Sequence, residues 1–159
     1  MNDVYLLLGA NLRDPLRQLH AARALIVESL GDVIAESSIY RSAAWGVEDQ
    51  PDFYNQVMLT KTKYDAETTL QICQQIENTL GRIRNEKWGA RIIDIDVLYF
   101  NMDIIDTTTL KVPHPYLHLR RFTLLPLCEI ANNFRHPILG QTNAELLQHC
   151  LDPLSVIKI

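Results

Sequence analysis

The chain has 159 residues, enough for one domain to bury a core without staples. Hydrophobic residues make up 47% and charged residues 21%, with a net charge of −4, an ordinary soluble balance that favours neither nucleic acid nor an anionic membrane surface. The longest apolar runs are too short to span a bilayer, and the three cysteines, Cys73, Cys128 and Cys150, are odd in number and widely spaced, so they read as reduced core thiols of a cytoplasmic protein.

In chain order, Val4–Leu8 is an apolar run ending at Gly9, the pattern of a buried central strand. Asp14 followed by Pro15 starts a helix, an N-cap before proline at the first helical position, and Gly31 ends it. Residues 32–40 read as one second strand and 41–52 as a long loop around Trp45, Gly46 and Pro51. A strand follows from Phe53 to Lys63. Asp65 caps a second helix with Thr69, Ile72, Cys73, Ile76 and Leu80 on its apolar face, and Gly81 closes it. After a basic loop at 82–91 comes a strand from Asp94 to about Phe100, then short strand candidates at 104–105 and 110–112. Residues 121–131 and 142–150 look helical, the latter opened by a Thr142–Glu145 capping-box pattern. The order β-α-β-β-α-β predicts an α+β, ferredoxin-like sandwich, with a C-terminal helical appendage, in a single domain over 1–159. The N-terminus shows no basic region, apolar run and small-residue cleavage site, so no secretory signal is expected.

The strongest chemical signal is Asp94-Ile95-Asp96 inside Ile92–Tyr99. Side chains at i and i+2 of a strand share a face, so the two carboxylates stand together while Ile93, Ile95 and Val97 face a core. Aspartate is a poor strand former, and paired carboxylates repel until a cation joins them. Mg2+ takes such oxygens and brings substrate phosphates with it. Arg82, Arg84, Lys87 and Arg91 lie just upstream as phosphate donors, with Lys111, Arg120 and Arg121 as a second local basic group. Acids for metal beside arginines for phosphate point to phosphoryl-type transfer. His114, between Pro113 and Pro115, projects from a rigid turn, and Pro115 disfavours a helical zinc pair with His118. His20, His136 and His149 read as structural or surface residues. Trp88 either closes on a flat ligand or anchors its loop. Phe53 and Asn55 are an aromatic and an amide able to stack on and read a heterocycle.

Taken together these pieces resemble the 6-hydroxymethyl-7,8-dihydropterin pyrophosphokinase family. The stretches that carry the resemblance are Gly9-Ala10-Asn11-Leu12, Ser38-Ile39-Tyr40-Arg41, and Gly46 through Gln50-Pro51-Asp52-Phe53-Tyr54-Asn55. They continue with Glu77 and Gly81-Arg82-Ile83-Arg84, then Trp88-Gly89-Ala90-Arg91 with Asp94-Ile95-Asp96, then Pro113-His114-Pro115 through Arg120-Arg121-Phe122 to Pro126-Leu127. The resemblance implies transfer of pyrophosphate from ATP, the co-substrate, to the pterin hydroxymethyl group. It implies two Mg2+ ions on Asp94 and Asp96, with Arg82 and Arg91 as further catalytic residues. Gln74, Glu77, Arg82, Arg84, Trp88, Arg91, Lys111, His114 and Arg120 would surround the nucleotide. Ser42, Ala43, Ala44, Trp45, Phe53, Asn55, Trp88, Asp94 and Phe122 would surround the pterin, Phe53 and Phe122 sandwiching its ring. Ala10, Ser42, Ala43 and Ala90 depart from the commoner serine, threonine, proline and proline, which predicts looser loops around 43 and 90. Small-molecule partners are expected, with no nucleic acid, no membrane and a monomeric chain. Two rivals remain at this level, a non-catalytic ferredoxin-like binding module and a nucleotidyltransferase that would release pyrophosphate instead of AMP.

Overall fold

The computed structural model describes residues 1–43, 50–81 and 92–159. Strand β1 (Asn2–Ala10) leads into α1 (Pro15–Ser29), β2 (Val33–Glu36), β3 (Tyr40–Ser42), β4 (Phe53–Thr62), α2 (Ala66–Thr79) and β5 (Asp94–Phe100). A small β6 (Ile105–Asp106) and β7 (Lys111–Val112) hairpin, a 3-10 turn at Leu117–Leu119, α3 (Arg121–Ala131), α4 (Asn143–Gln148) and β8 (Val156–Lys158) complete the chain. The main sheet runs β5-β1-β4-β3-β8, with β2 also paired to β4, and every pairing is antiparallel.

The expected βαββαβ order is present, with two differences. The second strand is broken: β2 and β3 both pair with β4, and Ser37 fills the gap by donating its N–H to the Val57 carbonyl and accepting the Val57 N–H on Oγ. The C-terminal segment also adds β8, on the outer edge of β3, which no periodicity in its three residues announced. The helix starts follow the sequence. Asp14 accepts from Arg17 N, Asp65 accepts from Thr68 N, and Thr142 and Glu145 form a reciprocal capping box. Gly31 allows a close approach, since a Cβ there would lie 1.9 Å from the Lys61 carbonyl oxygen.

The sheet separates two cores. On one face Leu6, Leu8, Ile93, Ile95 and Val97 pack with Leu19, Ile26, Cys73 and Ile76 of α1 and α2. On the other, Tyr5, Leu7, Val57, Leu98 and Tyr99 pack with Leu124 and Leu127 of α3 and Leu146 of α4. The appendage is therefore a third layer and not a loose tail. Its polar key is Asn143, which accepts the Tyr99 hydroxyl proton at 2.7 Å and donates to the Ala131 carbonyl at 2.8 Å. Arg121 holds the tail by donating to the Cys150 and Asp152 carbonyls, while Asp152 accepts the Arg121 N–H at the start of α3.

His136 gives this layer an acid-sensitive point. Only 4% exposed, it accepts the Ile138 and Leu139 N–H groups on Nδ1. Burial, with a smaller contribution from His118, lowers its pKa from 6.5 to about 4. Between those values the unfolded chain binds a proton that the folded chain refuses, so stability present above pH 6.5 is lost as the pH falls toward 4. Urea denaturation across that window should show a steeper loss for the native chain than for His136→Asn, whose Oδ1 can still accept the turn N–H groups. Equal pH slopes would remove His136 as the cause.

Candidate active site

The site grows from the register of β1. Gly9 pairs with Asn55 of β4 on one side and with Asp94 of β5 on the other. Directly paired residues of an antiparallel sheet point to the same face, so an amide and a carboxylate flank a position with no side chain. Two strand spacings put their backbones about 9–10 Å apart. A Cβ at Gly9 would come within 2.7 Å of Asn55 Oδ1, so the bare glycine is what lets the amide lie there. Asn55, 3% exposed, donates toward Ser42 Oγ at 3.4 Å, and Ser42 pairs with Phe53. Asn11, just past β1, ties this end of the sheet to the following loop by donating to Gln50 Oε1 and the Pro51 carbonyl. One step further into the sheet the row is Asp96, Leu7 and Val57, the last two already in the core beneath α3. The slot over Gly9 thus lies where the α3 layer gives out.

Beside the slot, an open cleft of about 410 Å³ wraps around the edge of β5. Helix α2 contributes Leu70, Gln74 and Glu77, and β5 contributes Asp94, Ile95 and Asp96. The segment before α3 contributes His114, Pro115, Tyr116 and Arg120. As an edge strand, β5 has outward N–H groups to satisfy. Glu77, 2% exposed, accepts the Ile95 N–H at 2.8 Å, midway between the two aspartates. It lines the cleft, and one of its oxygens is engaged in holding the strand.

His114 is fixed on three sides. Its N–H donates to the Leu98 carbonyl, its Nδ1 accepts the Tyr116 N–H at 3.1 Å, and its Nε2 stands 3.9 Å from Asp96 Oδ2. Burial first, then the Arg120 charge, against an opposing pull from Asp94, lowers its pKa to about 4. At neutral pH the ring is uncharged, and with Nδ1 accepting, its proton sits on Nε2, facing the acids. Cys73 lies behind the acid pair. Burial, then Glu77 and Asp96, push its thiol up to about 12, so it stays a core thiol.

The structure thus brings together Gln74, Glu77, Asp94, Asp96, His114 and Arg120 in the cleft, and Ser42, Phe53 and Asn55 beside Gly9. Phe122 is half-buried on α3 and packs against the second core. Ala43 is exposed at the end of β3. Lys111 is not in the cleft; its ammonium pairs with Asp106 across the β6–β7 hairpin, an exposed and weak interaction. Ala44, Trp45, Arg82, Arg84, Lys87, Trp88 and Arg91 lie outside the described residues. Sequence reasoning missed Tyr116 and Leu70, whose only signals are nearness to His114 and one helical turn before Gln74. Two side-by-side carboxylates with room for waters and phosphate oxygens form a donor set suited to Mg2+.

Three comparisons bear on this arrangement. Residues 5–132 match the family described as 7,8-dihydro-6-hydroxymethylpterin-pyrophosphokinase (HPPK). A 2-amino-4-hydroxy-6-hydroxymethyldihydropteridine pyrophosphokinase of Haemophilus influenzae is 39% identical over 96% of this chain and 95% of its own length. One of Bacillus subtilis is 42% identical over 82% of this chain and 79% of its own. Among solved structures, wild-type HPPK-DHPS of Plasmodium falciparum superposes with a TM-score of 0.76 at 18% identity, over 92% of this chain but 44% of that longer one, and so supports the fold alone. With its ferredoxin-like sheet and its match across most of its length, the chain belongs to the 7,8-dihydro-6-hydroxymethylpterin-pyrophosphokinase family.

Proposed function

We propose that this chain transfers the pyrophosphoryl group of ATP to the hydroxymethyl oxygen of 6-hydroxymethyl-7,8-dihydropterin, releasing AMP, as a step of folate biosynthesis. Family membership supports the reaction, and the observation that carries the residue roles is the row Asp94–Gly9–Asn55. A flat pterin lying over Gly9 meets the Asn55 amide at one edge and extends its hydroxymethyl arm toward Asp94 at the other. Phe53 is on the same strand face as Asn55 and, with Phe122, is the stacking candidate for the ring. Ser42 steadies the amide, and Ala43, Ala44, Trp45 and Trp88 are assigned to the pocket rim from sequence alone.

The nucleotide is assigned to the cleft at the β5 edge. Gln74 and the apolar Leu70 face it from α2, and Arg120 and the neutral His114 present N–H groups to phosphate oxygens. Arg82, Arg84 and Arg91 are the further phosphate donors, and Lys111 is an outer one that reaches phosphate only by leaving Asp106. Asp94 and Asp96 would hold two Mg2+ ions, which when bound neutralise phosphate oxygens and make the hydroxyl a better nucleophile. Phosphoryl transfer depends mainly on alignment and charge neutralisation, so the chain's work is to set the hydroxymethyl oxygen in line with the β-phosphorus and to keep water out. The two cores built on one sheet support a single domain. Exposed apolar side chains on different elements, such as Val27 on α1, Met102 after β5 and Leu151 before β8, support a monomer, and free thiols support a cytoplasmic setting. No helix among the described residues is long and apolar enough to cross a membrane.

The direct test is to incubate the protein with ATP, Mg2+ and the pterin and resolve the products. AMP with pterin diphosphate is expected; pyrophosphate release would favour a nucleotidyltransferase, and no turnover with both ligands bound would favour a sensor. Asp96→Ala should lower kcat by roughly a hundredfold or more while the far-UV spectrum is unchanged, and wild-type turnover in that variant would refute the metal assignment. Gly9→Ala should weaken pterin binding by about tenfold, on the order of 1.4 kcal/mol, with ATP affinity held. Calorimetric titration of each ligand separates that result from a general loss of folding.

A further inference from the structure

Tyr116 has no role in the scheme above, yet it touches His114 and Arg120, two of the donors that line the cleft with the acid pair. Its N–H donates to His114 Nδ1 at 3.1 Å, and its ring centroid is 6.0 Å from the imidazole. Its ring also lies 4.9 Å from the Arg120 guanidinium carbon. The Phe122 ring is on the same guanidinium at 5.5 Å. The local backbone makes this arrangement. Tyr116 opens the 3-10 turn by accepting the Leu119 N–H, and the Arg120 carbonyl accepts the Thr123 and Leu124 N–H groups at the start of α3. That turn brings residues 116, 120 and 122 together, with Tyr116 and Arg120 lining the cleft. Tyr116 is 43% exposed, too open for its ring to be explained as core packing.

Building on the pyrophosphokinase reading, we infer that Tyr116 is a positioning residue: with Phe122 it forms an aromatic clamp that holds Arg120 at the phosphate end of the cleft and links that cation to the ring on which the pterin stacks. Ring faces attract a guanidinium through the negative potential of their π-systems, and two such contacts restrict where the Arg120 side chain can sit. The same contact makes the position of Arg120 depend on Phe122, so a pterin settling on Phe122 tightens the donor on the nucleotide side. Preorganisation of this kind acts on the transfer step more than on ground-state binding.

The test compares Tyr116→Leu and Tyr116→Phe with the native chain. Tyr116→Phe keeps the ring and should turn over like the native protein. Tyr116→Leu should lower kcat about two- to fivefold, the worth of an exposed cation–ring contact, with KM for ATP changed less than that and an unchanged melting temperature. In an Arg120→Met background, read in single turnover, adding Tyr116→Leu should cost almost nothing. Independently of activity, the Arg120 Nε–H resonance of the protein alone should shift in Tyr116→Leu and hold in Tyr116→Phe. Native-like kcat in Tyr116→Leu, an equal loss in Tyr116→Phe, a full loss in the Arg120→Met background, or an unmoved resonance would each overturn the clamp. A native protein that makes no AMP while the resonance behaves as expected would instead overturn the pyrophosphokinase reading and leave the clamp standing.

Discussion

Everything in the site depends on the register of β1 against its two neighbours. Because side chains alternate along a strand, a slip of one residue would turn Asn55 and Asp94 to the face covered by α1 and α2 and bring their apolar neighbours to the slot. The register is held by burial on both faces: Leu6 and Leu8 are committed to one core, and Tyr5 and Leu7 to the other. Breaking either set would cost several apolar side chains at about 1.5–3 kcal/mol each. No single hydrogen bond at the site end compares with that. The chemistry therefore sits at the end of a strand whose position is fixed elsewhere.

A bulge in β5 turns two consecutive residues beyond the acid pair into the second core. Tyr5 pairs with Tyr99 and Leu6 with Val97, so Leu98 is an extra residue. Leu98 and Tyr99 both join the second core, while Val97 and Phe100 both belong to the first. Up to Asp96 the strand presents carboxylates on the slot face; past the bulge it presents a leucine and an aromatic to α3 and α4. The same strand thus carries a polar site and an apolar core on one side. The carbonyl of the bulged Leu98 accepts the His114 N–H, which sets the imidazole alongside the acids.

Glu77 ties helix α2 to the strand that carries the acid pair. A carboxylate buried this deeply is costly unless its oxygens are bonded. The Ile95 N–H that it accepts lies between Asp94 and Asp96, so α2 is tied to the strand at the point where the cation is assigned. Three acids close together raise the local negative potential and make the site receptive to a divalent ion, with Arg120 as the balancing described cation.

Much was legible in the residues alone. The caps at Asp14, Asp65 and Thr142 and the order of the two split βαβ units follow from local rules, because caps and periodicity act within a few residues. The acid pair was visible for the same reason: i and i+2 on a strand need no tertiary information to be neighbours. Three features had no local signal. Strand β8 exists because the outer edge of β3 is open to pairing, and the break between β2 and β3 comes from Ser37 bonding across to Val57. Placing Lys111 outside the cleft is a matter of where the β6–β7 hairpin packs, which its sequence does not encode.

Local rules were enough for the βαββαβ order, the apolar faces of α2 and β5, the acid pair and, through the resemblance, the family. That Gly9 separates Asn55 from Asp94, that Glu77 holds β5, and that the Tyr116 and Phe122 rings both approach Arg120 emerge only from the folded packing. Spacing along the chain specifies neighbours on one element, but contacts between residues 9, 55 and 94 depend on which strands lie side by side and in what register. That is settled by burying two apolar faces at once, a property of the whole sheet and of no short segment within it.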